Sequence, residues 1–183
     1  MSDFLLPRLR ALEPYVPGEQ PQDRRYVKLN TNESPFPPSP RVLDALNRET
    51  IAGLNLYPDP LSKTLRETIA AEYGLTPENV FVGNGSDEVL GFAFMAYADE
   101  TRGATFPEVS YGFYKVYAQL YRVSPTIVPL NEDFTLPVAK FCRQGQLVAL
   151  ANPNAPTSLA LSLGEVEQIV ASNPDGVVLI DEA

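Results

Sequence analysis

The feature that most constrains this chain is a repeated alternation of short apolar segments with longer amphipathic segments between residues 79 and 183. An apolar run such as "QLVALA" (146–151) has the length of a buried strand. The segment that follows it contains Ser162 and Glu165, which form a capping box and predict the start of a helix. Strands that alternate with helices in this way predict an α/β fold, in which a mostly parallel sheet is covered on both faces.

The remaining predicted elements extend this alternation and add an N-terminal arm. Residues 86–98 are apolar on nearly every side, which predicts a deeply buried helix. The first 38 residues are interrupted by prolines and predict an extended arm that packs on another part of the structure. The other predicted elements are a helix that begins after Ser39, a helix that carries Leu61, Leu65 and Ile69, strands at 79–83, 103–106, 123–130 and 176–183, and an aromatic-rich helix at 110–121.

Composition excludes several classes of function. The net charge of −9 argues against a basic surface for nucleic acids or anionic membranes. No apolar run approaches the roughly 20 residues of a membrane-spanning helix. Histidine is absent, which excludes serine–histidine triads and the usual zinc sites, so no metal is expected. Cys142 is the single cysteine, and the N-terminus lacks the pattern of a secretory signal, so a cytoplasmic location is expected.

The segment "VFVGNGSDEVL" (80–90) combines an apolar run, a glycine-rich turn and the start of a helix. Gly85 allows a tight turn and a close approach of a ligand to the backbone. The amides of Ser86 and Asp87 lie in the first turn of the predicted helix, where the helix dipole favours an anion. A phosphate group fits this position, although a serine-capped helix with acids in its first turn explains the same residues.

Three further motifs each follow a predicted strand. Tyr111 comes after the strand at 103–106, Asn154 lies in "LANPNAPTS" (150–158), and Asp181 ends the last strand. An aromatic ring in such a place can stack on a planar ligand, an amide can bond to it, and a carboxylate can pair with a protonated ring nitrogen. A core aromatic, a loop with Asx turns and a solvated acid are the corresponding structural alternatives.

Taken in order, these motifs resemble the fold-type I pyridoxal-phosphate aminotransferases. The N-terminal "KLNTNESPFPPSP" (28–40) and "YPDP" (57–60) narrow the resemblance to the histidinol-phosphate aminotransferase family. The resemblance covers residues from about 10 to 183. It implies that residues 1–60 form an N-terminal arm and a small-domain or dimer segment, and that residues 61–183 form the first part of the cofactor-binding large domain.

The resemblance also implies roles for individual residues. The cofactor, pyridoxal 5'-phosphate, would be held through its phosphate and its ring, and Tyr57 would reach the phosphate of the other subunit across a homodimer. The residues implied to hold the phosphate are Gly85, Ser86 and Asp87. Those implied at the ring are Tyr111, which stacks on it, and Asp181, which pairs with its nitrogen. Those implied near the substrate are Tyr15, Asn32 and Glu33.

Two departures from the family pattern matter. The family commonly reads "NPNNPTG", but this chain has Ala155 before the second proline and Ser158 in place of the final glycine. Asn154 is therefore the nearest candidate to bond the phenolic oxygen of the cofactor. None of the four lysines matches the position of the catalytic lysine that carries the cofactor, so that residue is expected beyond Ala183.

The resemblance implies that the parent enzyme transfers an amino group between L-histidinol phosphate and 2-oxoglutarate in histidine biosynthesis. Residues 1–183 by themselves are expected to be inactive. Two alternatives stay open at this point. One is another aminotransferase or an enzyme like threonine-phosphate decarboxylase, and the other is a non-catalytic binding or assembly module.

Overall fold

The structure is a computed structural model that describes residues 5–10, 12, 19, 21, 23, 24, 26–29 and 33–183, with the side chains of residues 7 and 8 not described. The helices in this part of the chain are α1 (Pro7–Arg10), α2 (Pro40–Ala45), α3 (Arg48–Ala52), α4 (Lys63–Glu72), α5 (Gly85–Tyr97), α6 (Phe113–Tyr121) and α7 (Leu163–Ser172). The strands are β1 (Ala104–Pro107), β2 (Pro125–Val128), β3 (Leu147–Ala151) and β4 (Val178–Asp181). Short 3₁₀ helices lie at Gly53–Asn55, Pro77–Asn79 and Val138–Phe141.

The four strands form one sheet in the order β2-β1-β3-β4, and every neighbouring pair is parallel. Ala104 of β1 is in register with Pro125 of β2 and with Leu147 of β3. At the other end of the sheet, Ala151 of β3 is in register with Asp181 of β4. The predicted α/β fold with a parallel sheet is confirmed, and its strands end along one common edge.

Alternating residues of β3 face two separate apolar clusters. Leu147 and Ala149 belong to a cluster with α5 and α6, whose most buried members include Phe94. Val148 belongs to a second cluster, together with Ile169 of α7. This period of two is the direct result of strand geometry. Both faces of the sheet are therefore covered, as the strand and helix pattern predicts.

The chain divides into two compact units, one formed by Met1–Leu12 with Phe81–Ala183 and the other by Glu13–Val80. The first unit contains the sheet. In the second unit, the carboxylate of Asp59 accepts hydrogen bonds from the amides of Leu61 (3.0 Å) and Lys63 (2.6 Å), and so gives the first amide of α4 a partner. These two amides are the main reason that the pKa of Asp59 lies below its usual value. The predicted division of the complete protein at residues 60 and 61 stays a prediction.

Residues 79–83, predicted as a buried strand, do not form one. Val80 is extended, but no ladder pairs this segment with β1–β4 in the described sheet, and Phe81 is 64% exposed. A strand is defined by its hydrogen-bonded partner as much as by its apolar residues, and sequence pattern reports only the residues. Phe81 instead packs edge-on against Phe92, with ring centroids 5.8 Å apart.

The helix α5 forms where it is predicted, but the prediction that it is deeply buried is wrong. One side carries its buried residues Leu90, Gly91 and Phe94, whereas Phe92 and Met95 are 42% and 56% exposed. A helix that is apolar all round indicates cover on every side, and the described part of this chain covers only one. Among the described residues, no helix combines the length and apolar character required to cross a membrane.

Candidate functional site

Three neighbouring strands end beside residues predicted to bind a ligand. The chain passes from β1 through Ser110 to Tyr111, and from β3 to Asn154, while Asp181 is the last residue of β4. Since β1, β3 and β4 are adjacent and parallel, their carboxyl ends lie along the same edge of the sheet. In open α/β sheets this edge is the usual place for a ligand.

The start of α5 provides the second part of the site. Gly85 adopts φ +78°, and a Cβ added to it would meet nothing within 4 Å, so the backbone is open to a ligand there. Ser86 and Asp87 follow in the exposed first turn, whose amides have no partner within the helix. The amide of Asn84 donates a hydrogen bond of 2.6 Å to Oε2 of Glu88. This turn can therefore present the later amides and the Ser86 hydroxyl to an anion.

The carboxylate of Asp87 accepts hydrogen bonds from the hydroxyls of two tyrosines. Oδ1 accepts a hydrogen bond of 2.6 Å from Tyr111 and one of 3.1 Å from Tyr117. The Tyr117 hydroxyl also lies 2.9 Å from the carbonyl oxygen of Asp87. Burial, and then the negative charge of Asp87, raise the pKa of Tyr117 well above its usual value. Tyr117 thus stays protonated and remains a donor at neutral pH.

The carboxylate of Asp181 is held in a similar way. Its Oδ2 accepts a hydrogen bond of 3.1 Å from Tyr114, and its Oδ1 accepts one of 3.1 Å from the amide of Ala183. Tyr114 is fully buried, and its ring centroid is 5.8 Å from that of Tyr111. Burial, and then the charge of Asp181, raise the pKa of Tyr114 far above its usual value. The two site carboxylates are therefore connected through neighbouring tyrosines.

The sequence prediction identified Tyr111 but missed Tyr114 and Tyr117. The available signal was their spacing of three residues, which places side chains on one face of a helix. The helix was predicted to begin at residue 110, but α6 begins at Phe113, and Tyr111 lies just before it. Because Tyr111 lies outside α6, Lys115, which is four residues further along the chain, does not share a helix face with it. It lines a groove with residues of β1 and β2 instead.

Asn154 is buried, with only 1% of its surface exposed. Its Nδ2 donates to the carbonyl oxygen of Val109 (3.0 Å) and to Oγ1 of Thr157 (3.1 Å), and its Oδ1 accepts from Ser110 (2.8 Å). Both hydrogens of the amide are thus used within the chain. A bond from Asn154 to a ligand would require one of these contacts to be released. Asn154 therefore connects the loop after β3 to the segment after β1 through hydrogen bonds.

The other predicted residues belong to the first 60 residues of the chain. Tyr15 and Asn32 fall outside the described residues. Glu33 is exposed and forms an ion pair with Lys28. Tyr57 belongs to the unit Glu13–Val80 and is fully exposed. The structure therefore brings together, within the sheet-containing unit, the residues predicted around the cofactor.

Three features of this arrangement can each bind one part of a ligand. The helix start can bind an anion, the half-buried ring of Tyr111 can stack on a planar group, and the carboxylate of Asp181 can pair with a protonated nitrogen. Among the described residues, no group of three or more acids or cysteines is placed to hold a metal ion. A planar, cationic ring that carries an anionic substituent matches these three features.

The fold is that of the fold-type I aminotransferases. The family model for aminotransferase class I and II matches residues 24–183, and the chain belongs to this family.

Curated relatives extend the similarity to every part of the chain. The histidinol-phosphate aminotransferase of Clostridium acetobutylicum is 50% identical over 183 residues, which cover 100% of this chain and 52% of the relative. Histidinol-phosphate aminotransferase 1 of Burkholderia pseudomallei is 53% identical over 186 residues, with the same shares of 100% and 52%. The chain thus spans about half the length of the curated relatives it matches.

A solved structure supports the fold assignment. The histidinol-phosphate aminotransferase of Sinorhizobium meliloti, solved in complex with pyridoxal-5'-phosphate, superposes with a TM-score of 0.80 and 22% sequence identity. The match covers 100% of this chain and 52% of that one. The match shows that the chain shares the fold of that protein.

Proposed function

We propose that the full-length product of this gene transfers an amino group between L-histidinol phosphate and 2-oxoglutarate, with pyridoxal 5'-phosphate as cofactor, in histidine biosynthesis. The observation that carries the proposal is the identity of 50% and 53%, along the whole chain, with proteins named histidinol-phosphate aminotransferase. The geometry of the site supports the same conclusion, because its three binding features match the three parts of this cofactor.

The start of α5 suits the phosphate of the cofactor, and Tyr111 suits its ring. The open space above Gly85 lets a phosphate approach the backbone, where Ser86 and the first-turn amides can donate to it. The carboxylates of Asp87 and Glu88, which would repel an anion, accept hydrogen bonds from groups of this chain. Tyr111 would hold the plane of the ring by stacking.

Asp181 has the role with the largest chemical consequence. When bound, the cofactor supplies an electron sink for removal of a proton from the α-carbon of the substrate, and a protonated ring nitrogen is required for this. A carboxylate beside that nitrogen favours the protonated form. A carboxylate has about four lone-pair positions, and Tyr114 and Ala183 use two of those of Asp181. Capacity remains for a donor from the ring.

For the substrate we propose contacts with Tyr15, Asn32 and Glu33, following the family resemblance. We likewise propose that the catalytic lysine lies outside residues 1–183 and that this segment alone does not carry out the reaction. In the sheet-containing unit, Lys115 lines the groove beside β2 and Lys140 lies in a 3₁₀ helix. Neither residue belongs to the cluster of Asp87, the tyrosines and Asp181.

We further propose that the protein acts as a homodimer in the cytoplasm, with Tyr57 reaching the cofactor phosphate of the other subunit. In support, Tyr57 is fully exposed, and its neighbours Leu54 and Leu56 are 76% and 71% exposed. Exposed apolar residues in such number favour a protein interface. Light scattering on the full-length protein should report a dimer, whereas a folded monomer at micromolar concentration would contradict this part of the proposal.

The activity is tested with the full-length protein, saturated with pyridoxal phosphate. Incubation with L-histidinol phosphate and 2-oxoglutarate should produce glutamate, and Asp181→Asn should abolish it. O-phospho-L-threonine serves as the competing substrate. Release of carbon dioxide from it, without glutamate formation from L-histidinol phosphate, would replace the proposed reaction with a decarboxylation.

A further inference from the structure

The hydroxyl of Tyr114 lies at an unusual position for a core residue. Tyr114 is 0% exposed, and its ring packs against Phe94, Phe106 and Tyr111 at centroid distances of 6.1, 6.0 and 5.8 Å. A phenylalanine would provide the same ring packing. The hydroxyl adds a buried polar group, which has to be hydrogen-bonded to be tolerated.

The acceptor of that hydroxyl is Oδ2 of Asp181, at 3.1 Å. Asp181 is the last residue of β4 and is only half-buried, so its carboxylate lies between the core and the ligand-binding edge of the sheet. Hydrogen bonds on both oxygens, from Tyr114 and from the amide of Ala183, restrict the rotation of the carboxylate. A carboxylate fixed in this way loses less conformational entropy when it binds a further donor.

We propose that Tyr114 is a positioning residue that fixes the carboxylate of Asp181 for its pairing with the cofactor ring. The inference rests on the proposed function in that it takes pyridoxal phosphate as the group that Asp181 meets. Tyr114 is not proposed to touch the cofactor itself. The raised pKa of its phenol means that it stays protonated and continues to donate to Asp181 at neutral pH and above.

The test uses the full-length protein, stripped of cofactor, and the variant Tyr114→Phe. Phenylalanine keeps the ring and removes only the hydroxyl. The dissociation constant of pyridoxal phosphate should rise about tenfold, because part of the free energy of a hydrogen bond to a charged group is lost from binding when the carboxylate is no longer held in place. Binding of inorganic phosphate, which needs only the helix start, should stay unchanged and also shows that the variant is folded.

The control variant is Tyr121→Phe. Tyr121 lies on the same helix and packs against the same apolar cluster, but it contacts neither site carboxylate in the hydrogen bonds of the described residues. Removal of the Tyr121 hydroxyl should leave the affinity for pyridoxal phosphate unchanged. An equal loss of affinity in both variants would show a general packing effect and overturn the proposal.

A double-mutant cycle separates positioning from packing. In an Asp181→Asn background, Tyr114→Phe should change the affinity for pyridoxal phosphate by less than about twofold, because the charged acceptor is already gone. Asp181→Asn alone leaves the ring packing of Tyr114 in place and should reproduce the loss of affinity. A full tenfold effect of Tyr114→Phe in both backgrounds would overturn the proposal.

A spectroscopic measurement adds a second criterion. The pKa of the ring nitrogen of bound pyridoxal phosphate, followed by ¹⁵N NMR of cofactor labelled at that atom, should be lower in Tyr114→Phe, because a less well-placed carboxylate holds the proton on the ring nitrogen less strongly. An unchanged pH profile would contradict the positioning role. All these measurements report binding rather than turnover, so a protein that binds the cofactor but rejects L-histidinol phosphate refutes the proposed reaction alone. A wild-type protein that does not bind pyridoxal phosphate overturns both proposals.

Discussion

Tyr111 and Asp87 are joined by a hydrogen bond of 2.6 Å, although they are 24 residues apart in the sequence. The acid lies in the first turn of α5, and the tyrosine follows β1. An acidic side chain near the start of a helix usually stabilises the helix through its interaction with the positive end of the helix dipole. Here the carboxylate instead orients the aromatic ring that is proposed to stack on the cofactor.

The first prediction separates these two roles of Asp87. Asp87→Ala removes the acceptor of Tyr111, while Tyr117 keeps the carbonyl oxygen of residue 87 as an acceptor. The change should weaken pyridoxal phosphate binding about fivefold, as expected for a hydrogen bond that contributes about 1 kcal/mol. The same change removes a negative charge from the phosphate position, so inorganic phosphate should bind at least as well as before. Fluorescence or absorbance titrations of the cofactor-free protein measure both constants.

Asp87→Asn is the matched control, because it keeps an oxygen that accepts from Tyr111 but removes the charge. Its affinity for pyridoxal phosphate should lie between those of the wild type and Asp87→Ala. A parallel loss of phosphate and pyridoxal phosphate binding in Asp87→Ala would mean that the acid supports the helix start and not the ring.

The second prediction concerns Ser158, which occupies the position of the family glycine. Its φ of +60° lies in the left-handed region, which costs a residue with a Cβ about 1–2 kcal/mol. Ser158→Gly should therefore raise the free energy of unfolding by about 0.5–1 kcal/mol, after the greater entropy of glycine in the unfolded chain is subtracted. Denaturant unfolding of the full-length protein measures the change.

Ser158→Ala provides the comparison for this prediction. It removes the hydroxyl but keeps the Cβ, so the backbone strain remains and stability should not rise. If alanine were to stabilise the protein as much as glycine, the left-handed conformation would not be the cause.

Much of the fold was predictable because the spacing of apolar residues and the residues that cap a helix can both be identified from short stretches of sequence. The parallel sheet follows from alternating segments, and the capping box of Ser162 and Glu165 is present, with the Ser162 Oγ accepting from the Glu165 amide at 3.3 Å. The extended segment at 79–83 was not predictable as unpaired, since its residues are those of a strand. Whether such a segment enters a sheet depends on the neighbours available to it.

The site was predictable only in its outline. Residues after strand ends can be found from the pattern, which is how Asp181 and Tyr111 were identified. Hydrogen bonds between distant residues are set by the packing of α5 against α6 and cannot be found from spacing alone. For the same reason Asn154 was assigned to a ligand on its position, although its amide is used between two loops of the chain.

The third prediction follows from the raised pKa values of Tyr114 and Tyr117. An unfolded tyrosine ionises near pH 10, whereas these two stay protonated in the folded protein to higher pH. Their contribution to stability is therefore complete below pH 10 and is lost as the pH rises above it, by up to about 1.4 kcal/mol per pH unit for each residue. Denaturant unfolding between pH 8 and pH 11 measures this slope.

Tyr114→Phe removes one of the two ionising groups and should make the loss of stability above pH 10 shallower than in the wild type. The value at pH 8 serves as the internal reference, because both tyrosines are protonated there in the folded and unfolded states. A slope that is identical in the variant would contradict the raised pKa of Tyr114.

The fourth prediction tests the proposed dimer through Tyr57 and Asp181. If each site takes Tyr57 from one subunit and Asp181 from the other, Tyr57→Phe and Asp181→Asn damage the same site from different chains. A heterodimer of the two variants then contains one intact site and one doubly altered site. Random association of the variants makes half of the dimers heterodimers, so the mixture should recover about a quarter of the wild-type activity.

The assay is run at a concentration of pyridoxal phosphate that leaves Tyr57→Phe largely without cofactor, so that both parent variants are nearly inactive. The variants are mixed under conditions that allow subunits to exchange, and glutamate formation from 2-oxoglutarate is followed over time. Activity that rises with exchange requires the two residues to act in one site across the interface. Activity that stays at the mean of the two parents would mean that Tyr57 serves its own subunit or has no role at the cofactor.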